Sequence, residues 1–214
     1  MIRSFLLACG LSVFAPTVDA HPHIFVDADG GFLFNDSGEL VGVRIFWLYD
    51  AYSTLFLYDT LDLDKDGDGE LDAADLEKVR QGETTWDPEY EGDTYLWIAG
   101  QKQKLSRPLK TSARMVEGRI GVSFELHLQA PKNIRGSRAS LKLYDPIYYY
   151  AYSILSEGRI FGNASGCHIS VKRFDPDEQT AALQKELSTL SREELPENLN
   201  VGSKFAEEII LQCV

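Results

Sequence analysis

Hydrophobic and polar residues alternate with a period of two along several stretches, the mark of strands with one buried face. Within Leu40 to Trp47, Val41, Val43, Ile45 and Trp47 alternate with Gly42, Arg44 and Phe46. Ile120, Val122, Phe124, Leu126 and Leu128 form one face of a longer strand, with Arg119, Ser123, Glu125 and His127 on the other. His23 to Phe34 reads as a strand and hairpin turning at Asp29-Gly30-Gly31, since glycine supplies turn conformations. Tyr95 to Ile98 and Lys102 to Leu105 flank a turn at Ala99-Gly100. Ala139 to Tyr144 and Cys167 to Phe174 are further strands.

A helical period appears in fewer places. Leu48, Ala51, Leu55 and Tyr58 recur at helical spacing ahead of an acidic loop, and helix resumes from Asp75 to Gln81, where Gly82 stops it. Asp175-Pro176-Asp177-Glu178 has the chemistry of a helix start: an acid as N-cap, proline in the first turn, and Glu three residues on. Leu183, Leu187 and Leu190 give that helix an apolar stripe, and a last helix is expected around Lys204 to Leu211, carrying Phe205, Ile209 and Ile210. The expected fold class is α+β: a mainly antiparallel β domain, sheet or sandwich, with an EF-hand-like helix-loop-helix insertion at about 48–82 and C-terminal helices.

Composition narrows the partners. The 214 residues carry a net charge of -12, which repels nucleic-acid phosphates and anionic membrane surfaces and favours cationic ligands, metal ions above all. Met1-Ile2-Arg3, the apolar run from Ser4 to Pro16 and the small residues of Val18-Asp19-Ala20 have the three parts of a secretory signal, so residues 1–20 are expected to be removed. The remainder, 21–214, is then a single exported domain. No other run approaches the roughly 20 apolar residues of a spanning helix, so direct membrane insertion is not expected. Loss of the signal removes Cys9 and leaves Cys167 and Cys213, which in an oxidising compartment form a structural disulfide.

Asp64 to Asp75 fits the twelve-residue calcium loop of an EF-hand. Asp64, Asp66 and Asp68 stand at loop positions 1, 3 and 5, with Gly69 at the sharp turn. Glu70 would ligate through its backbone carbonyl, Asp72 through water, and Leu71 would pack inward. At position 12, Asp75 replaces the usual Glu with a carboxylate one methylene shorter, which weakens bidentate reach. A single such loop favours a structural calcium over a sensor.

The start of the exported chain offers a second site. Cleavage after Ala20 makes His21 the first residue, so its α-amine and imidazole, with His23 on the same face of an extended strand, supply three nitrogens. Pro22 has no N–H and excludes the square-planar mode that uses successive deprotonated amides. Such a set suits zinc, nickel, cobalt or copper. His168 is a candidate third imidazole and Asp145 a candidate oxygen ligand, set in the tyrosine-rich stretch Tyr144 to Tyr152. Those tyrosines either line a pocket or serve as core-edge aromatics around the Asp145-Pro146 turn.

A signal cut just before His21-Pro22-His23-Ile24-Phe25-Val26-Asp27-Ala28, the Asp64–Gly69 loop, Tyr144-Asp145-Pro146 with Tyr148-Tyr149, and the cysteine pair together resemble the bacterial domain-of-unknown-function family 1007. The resemblance spans essentially the whole mature chain. It implies a Gram-negative periplasmic protein, the periplasmic component of an uncharacterised ABC-type transport system, acting beside a nickel/cobalt-type inner-membrane permease. The expectation is therefore a metal-binding accessory protein of a transition-metal transport system, with a structural calcium. Two alternatives are a copper oxidoreductase built on a histidine brace, and a calcium-stabilised adaptor that binds another protein.

Overall fold

A computed structural model describes residues 21–191 and 194–214; the segment read as a secretory signal, residues 1–20 with Cys9, lies outside them. The elements run β1 (Ile24–Phe34), β2 (Leu40–Tyr49), α1 (Ala51–Thr60), α2 (Ala73–Thr84), β3 (Thr94–Ile98), β4 (Gln101–Lys102), β5 (Leu109–Val116), β6 (Arg119–Lys132), β7 (Arg138–Leu143), β8 (Tyr150–Ile154), β9 (Arg159–Phe161), β10 (Cys167–Lys172), α3 (Glu178–Leu187) and β11 (Glu208–Cys213). They build two sheets, ordered β5-β6-β2-β1-β8 with β9 also on β1, and β10-β11-β7-β3-β4. Pairing is antiparallel except where β8 and β9 join β1 in parallel. The α+β class with mainly antiparallel sheets holds.

The alternating residues explain how the sheets pack. Phe32, Ile45, Phe124 and Leu126 from the first sheet and Leu96, Leu141, Ile209 and Leu211 from the second are all fully buried in one core. Gly30 lies within β1, not in a turn. A Cβ there would stand 2.8 Å from Ile209 Cδ1 and 3.2 Å from Leu141 Cδ2, so the glycine admits close approach of the second sheet. The turn falls instead at Asn35 to Gly38, where Asn35 Oδ1 accepts the Glu39 N–H at 2.9 Å and Gly38 takes φ +76°.

Three other expectations are corrected. Helix α2 starts earlier, behind Asp72, whose side chain accepts from the amides of Ala74 and Asp75. It also runs through Gly82, which lies beside Leu61, where a Cβ would sit 3.4 Å from Leu61 Cδ2. The cap of α3 is Asp177, not Asp175: Asp177 Oδ1 accepts the Thr180 N–H at 2.8 Å and Thr180 Oγ1 accepts the Asp177 N–H at 2.9 Å. Thr180 completes the reciprocal box expected of a Glu.

The last segment is a strand, not a helix. Ile209, Leu211 and Cys213 are buried, Ile210 and Gln212 are less so, and β11 is hydrogen-bonded on both edges between β10 and β7. Phe205 precedes it, packed with Tyr148, Leu187 and Val201 in a satellite cluster. Cys167 and Cys213 are register partners on β10 and β11 and form the disulfide, with Cα atoms 4.0 Å apart and a sequence separation of 46 residues. In the chain-entropy model a loop of this length contributes about 4 kcal/mol.

Candidate metal centre

The approach to β1 is held against the turn that precedes β8. Tyr149 O accepts from the amides of His23 at 2.9 Å and Ile24 at 3.2 Å. Asp145 shapes that turn: its Oδ2 accepts the amides of Tyr149 at 2.7 Å and Tyr150 at 3.1 Å, and its Oδ1 that of Ile147 at 3.2 Å. Gly202 lets the neighbouring chain lie on this turn, since a Cβ there would meet Asp145 O at 1.9 Å.

The result is a compact ring cluster. His21 and His23 have centroids 4.9 Å apart, and Tyr149 lies 4.6 Å from His23 and 6.1 Å from His21. His21 is buried and His23 half-buried. The 4.9 Å spacing and 63° interplanar angle are those of an edge-to-face ring contact, and two imidazoles sharing one ion at about 2.0–2.1 Å would also stand about 5 Å apart. With three amides on its carboxylate, Asp145 serves this cluster as the residue that positions Tyr149.

The aromatic path continues inward. Tyr149 to Tyr150 is 5.7 Å, Tyr150 to Tyr152 is 6.3 Å, and Tyr152 to Trp47 is 5.8 Å. The Tyr152 hydroxyl donates to Asp93 Oδ2 at 2.8 Å, and the Tyr90 phenol also favours the charged form of this carboxyl. Asp93 is only 3% exposed. Burial first, and then the charge of Asp145, push its pKa up to about 7 against the pull of the two phenols. Nearby, the Tyr49 hydroxyl donates to Glu83, whose carboxyl is also raised by burial. The tyrosine-rich stretch is thus both core edge and pocket wall: Tyr144 stacks on Tyr95 at 4.2 Å, while Tyr148, Tyr150 and Tyr152 line a 260 Å³ cavity with Phe174 and Phe205.

Sequence reasoning missed Asp93, Glu83, Tyr49 and Tyr90. Their partners are 59 and 34 residues away in the chain, so local spacing does not pair them. The one local signal is Gly92 before Asp93: Gly92 has φ +67°, and a Cβ there would come 2.2 Å from the Trp86 ring.

The acidic loop joins α1 to α2. Ligand atoms of Asp64, Asp66 and Asp68 lie within 4.8 Å of one another, the one such group of three or more His, Cys, Asp or Glu among the described residues. Asp64 Oδ1 is buried with no hydrogen-bond partner, while Asp64 Oδ2 accepts the Gly69 amide at 3.1 Å. Gly67 and Gly69 take φ +71° and +84°. Leu71 packs against the core as expected, Glu70 is exposed, and Asp72 caps α2. Asp75 Oδ2 accepts the Asp64 amide at 3.2 Å, and Oδ1 accepts from Lys78 Nζ at 2.8 Å, which lowers the pKa of this carboxyl. An uncompensated buried carboxylate oxygen in a three-acid cluster fits a hard cation.

His168 stands elsewhere. It is exposed on β10, an edge strand of the second sheet, next to Cys167, which shares a small cavity with Ser37 and Gly38 of the β1–β2 turn. The eleven residues of β1 separate that end from His23, roughly 35 Å at the usual strand rise. The structure therefore brings His21 and His23 together without His168.

Fold and disulfide define an α+β protein of two mainly antiparallel sheets. Among its described residues no helix is long and apolar enough to cross a membrane, and the disulfide is compatible with an exported protein. The chain belongs to the family described as protein of unknown function DUF1007, whose model matches residues 5–213. It is similar to an uncharacterized protein of Haemophilus influenzae, 26% identical over 215 residues that cover 99% of this chain and 100% of that relative.

Proposed function

We propose that this is a periplasmic accessory protein that binds a transition metal through His21 and His23 and passes it to or from an inner-membrane permease. The observation that carries the reading is the 4.9 Å approach of the two imidazoles beside Tyr149, on a turn fixed by Asp145. Cleavage after Ala20 would add the α-amine of His21 as a third nitrogen. Calcium in the Asp64–Asp75 loop would neutralise its acids and brace α1 against α2. The permease rests on the family resemblance alone. X-ray absorption at the edge of the bound metal tests the site: two imidazole ligands in the wild type and none in His21→Ala/His23→Ala are expected. A metal with no imidazole in its shell would remove the proposal.

A second reading, a copper oxidoreductase, draws on the ring path from His23 through Tyr149 and Tyr150 to Tyr152, whose hydroxyl donates a hydrogen bond to Asp93. It requires one-electron cycling of bound copper, and a redox-silent metal would dismiss it.

A further inference from the structure

The outer face of the first sheet carries a cavity of about 600 Å³, remote in character from the acidic loop and the histidine pair. Its floor follows from the register. One rung sets Gly31 beside Arg44 and Arg44 beside Glu125; the next sets Asp29 beside Phe46 and Phe46 beside Ser123; a third sets Leu48 beside Gly121 and Gly121 beside Arg114. Small residues thus alternate with large ones and leave a trough between Arg44, Phe46 and Leu48. Gly121 is required there, because a Cβ would stand 2.6 Å from the Phe46 ring. Leu155, just after β8, and Arg159, the first residue of β9, close one side.

Charge in this trough runs against the rest of the chain. Four cations, Arg44, Lys110, Arg114 and Arg159, meet two carboxylates, Asp29 and Glu125, in a protein of net charge -12. Both carboxylates are already engaged. Glu125 accepts from Arg44 at 2.6 Å, Lys110 at 3.0 Å and His127 at 2.9 Å. Burial opposes its ionisation, but bonds from Arg44, His127 and Lys110 prevail and hold its pKa down at about 2. Asp29 pairs with Arg159 at 3.1 Å and accepts from Ser156 Oγ at 2.5 Å. Arg114 has no carboxylate partner among the described residues.

The cations also lie on apolar walls. The Arg44 guanidinium sits 4.3 Å from the Phe161 centroid and that of Arg114 4.4 Å from the Phe46 centroid. Stacking leaves the edge donors of a guanidinium free to grip an oxyanion while its plane stays on the ring. A cavity of this size, with an apolar floor and surplus positive charge at its rim, has the make-up of a small-molecule site.

We infer that this trough binds an amphiphilic anion, its carboxylate, sulfonate or phosphate head on Arg114, the cation with no carboxylate partner, with Arg159 adding positive charge from the opposite wall, and its apolar part over Phe46, Leu48 and Leu155. The shared chemistry covers a soluble amphiphile and the headgroup of an anionic lipid. Calorimetric titration of the whole protein with decanoate below its micelle concentration, with decanol and decyltrimethylammonium as neutral and cationic counterparts, tests it. One-to-one binding of decanoate is expected, with about tenfold or greater loss for the two counterparts. Arg114→Gln/Arg159→Gln should lose the same factor, and Ser123→Leu, which fills the floor without changing charge, should lose it too. Phosphatidylglycerol vesicles, set against phosphatidylcholine, form the second arm. Retention lost in the same variants assigns the anion to a lipid surface, and decanoate binding without retention assigns it to solution. Equal affinity for all three decyl compounds, undiminished decanoate binding in both variants, or neither decanoate binding nor vesicle retention would overturn the inference.

Discussion

In the loop from Asp64 to Asp75 the acids stand close because they are neighbours in the chain, and most of them face water. Around Asp93 the gathering is made by the fold. Tyr152 arrives on β8, Tyr90 and Asp93 from the segment before β3, and Glu83 and Tyr49 from the ends of α2 and β2. In the loop, repulsion among ionised carboxylates is the cost, and a cation relieves it. In the core, desolvation is the cost, and the carboxyl answers by keeping its proton and accepting from phenols. The same residue type thus follows solution chemistry in one region and interior chemistry in the other.

That contrast breaks most visibly with pH. Asp93 titrates near 7 in the folded protein and near 3.8 as an ordinary side chain. Between these values the folded state holds a proton the unfolded chain has lost, so stability falls as pH rises from about 4 to about 7. The full effect is on the order of 4 kcal/mol. Asp93→Asn should flatten this part of the profile in urea melts; an unchanged slope would mean that Asp93 is ionised in the folded state.

The next largest effect belongs to the loop. Calcium at about 100 times its Kd should add about 2.7 kcal/mol to the stability of the wild type. It should add nothing to Asp64→Ala/Asp66→Ala, as read from thermal unfolding with and without chelator. A single hydroxyl sharpens the comparison further. Tyr152→Phe removes a donor from a buried carboxyl and should cost about 1–3 kcal/mol. Asp66→Asn in calcium-free protein should change stability by no more than about 0.5 kcal/mol, because an exposed acid loses only repulsion. Equal costs in chemical denaturation would erase the distinction between the two regions.

The same contrast explains what was legible in the sequence. Strand β6 could be read directly because apolar Ile120, Val122, Phe124 and Leu126 alternate with small or polar residues, and the acidic loop because its ligands are contiguous. Ile209, Leu211 and Cys213 also alternate, but Phe205, Ile209 and Ile210 can equally share a helix face, and only pairing with β7 and β10 decides the matter. Gly30-Gly31 carries turn chemistry in the sequence, whereas the reason for Gly30 lies in Ile209 and Leu141 on the opposite sheet. The histidine pair was readable as a pair. Its separation from His168, and the buried Asp93 with its phenols, depend on which strands lie side by side, and no local spacing encodes that.

The most direct measurement is the metal content of protein exported to the periplasm and purified without chelator, beside His21→Ala/His23→Ala and Asp64→Ala/Asp66→Ala. The account predicts one equivalent of zinc, nickel, cobalt or copper that disappears in the histidine variant and persists in the loop variant, with calcium showing the reverse. A transition metal retained in full by the histidine variant, or absent from the wild type altogether, would contradict it.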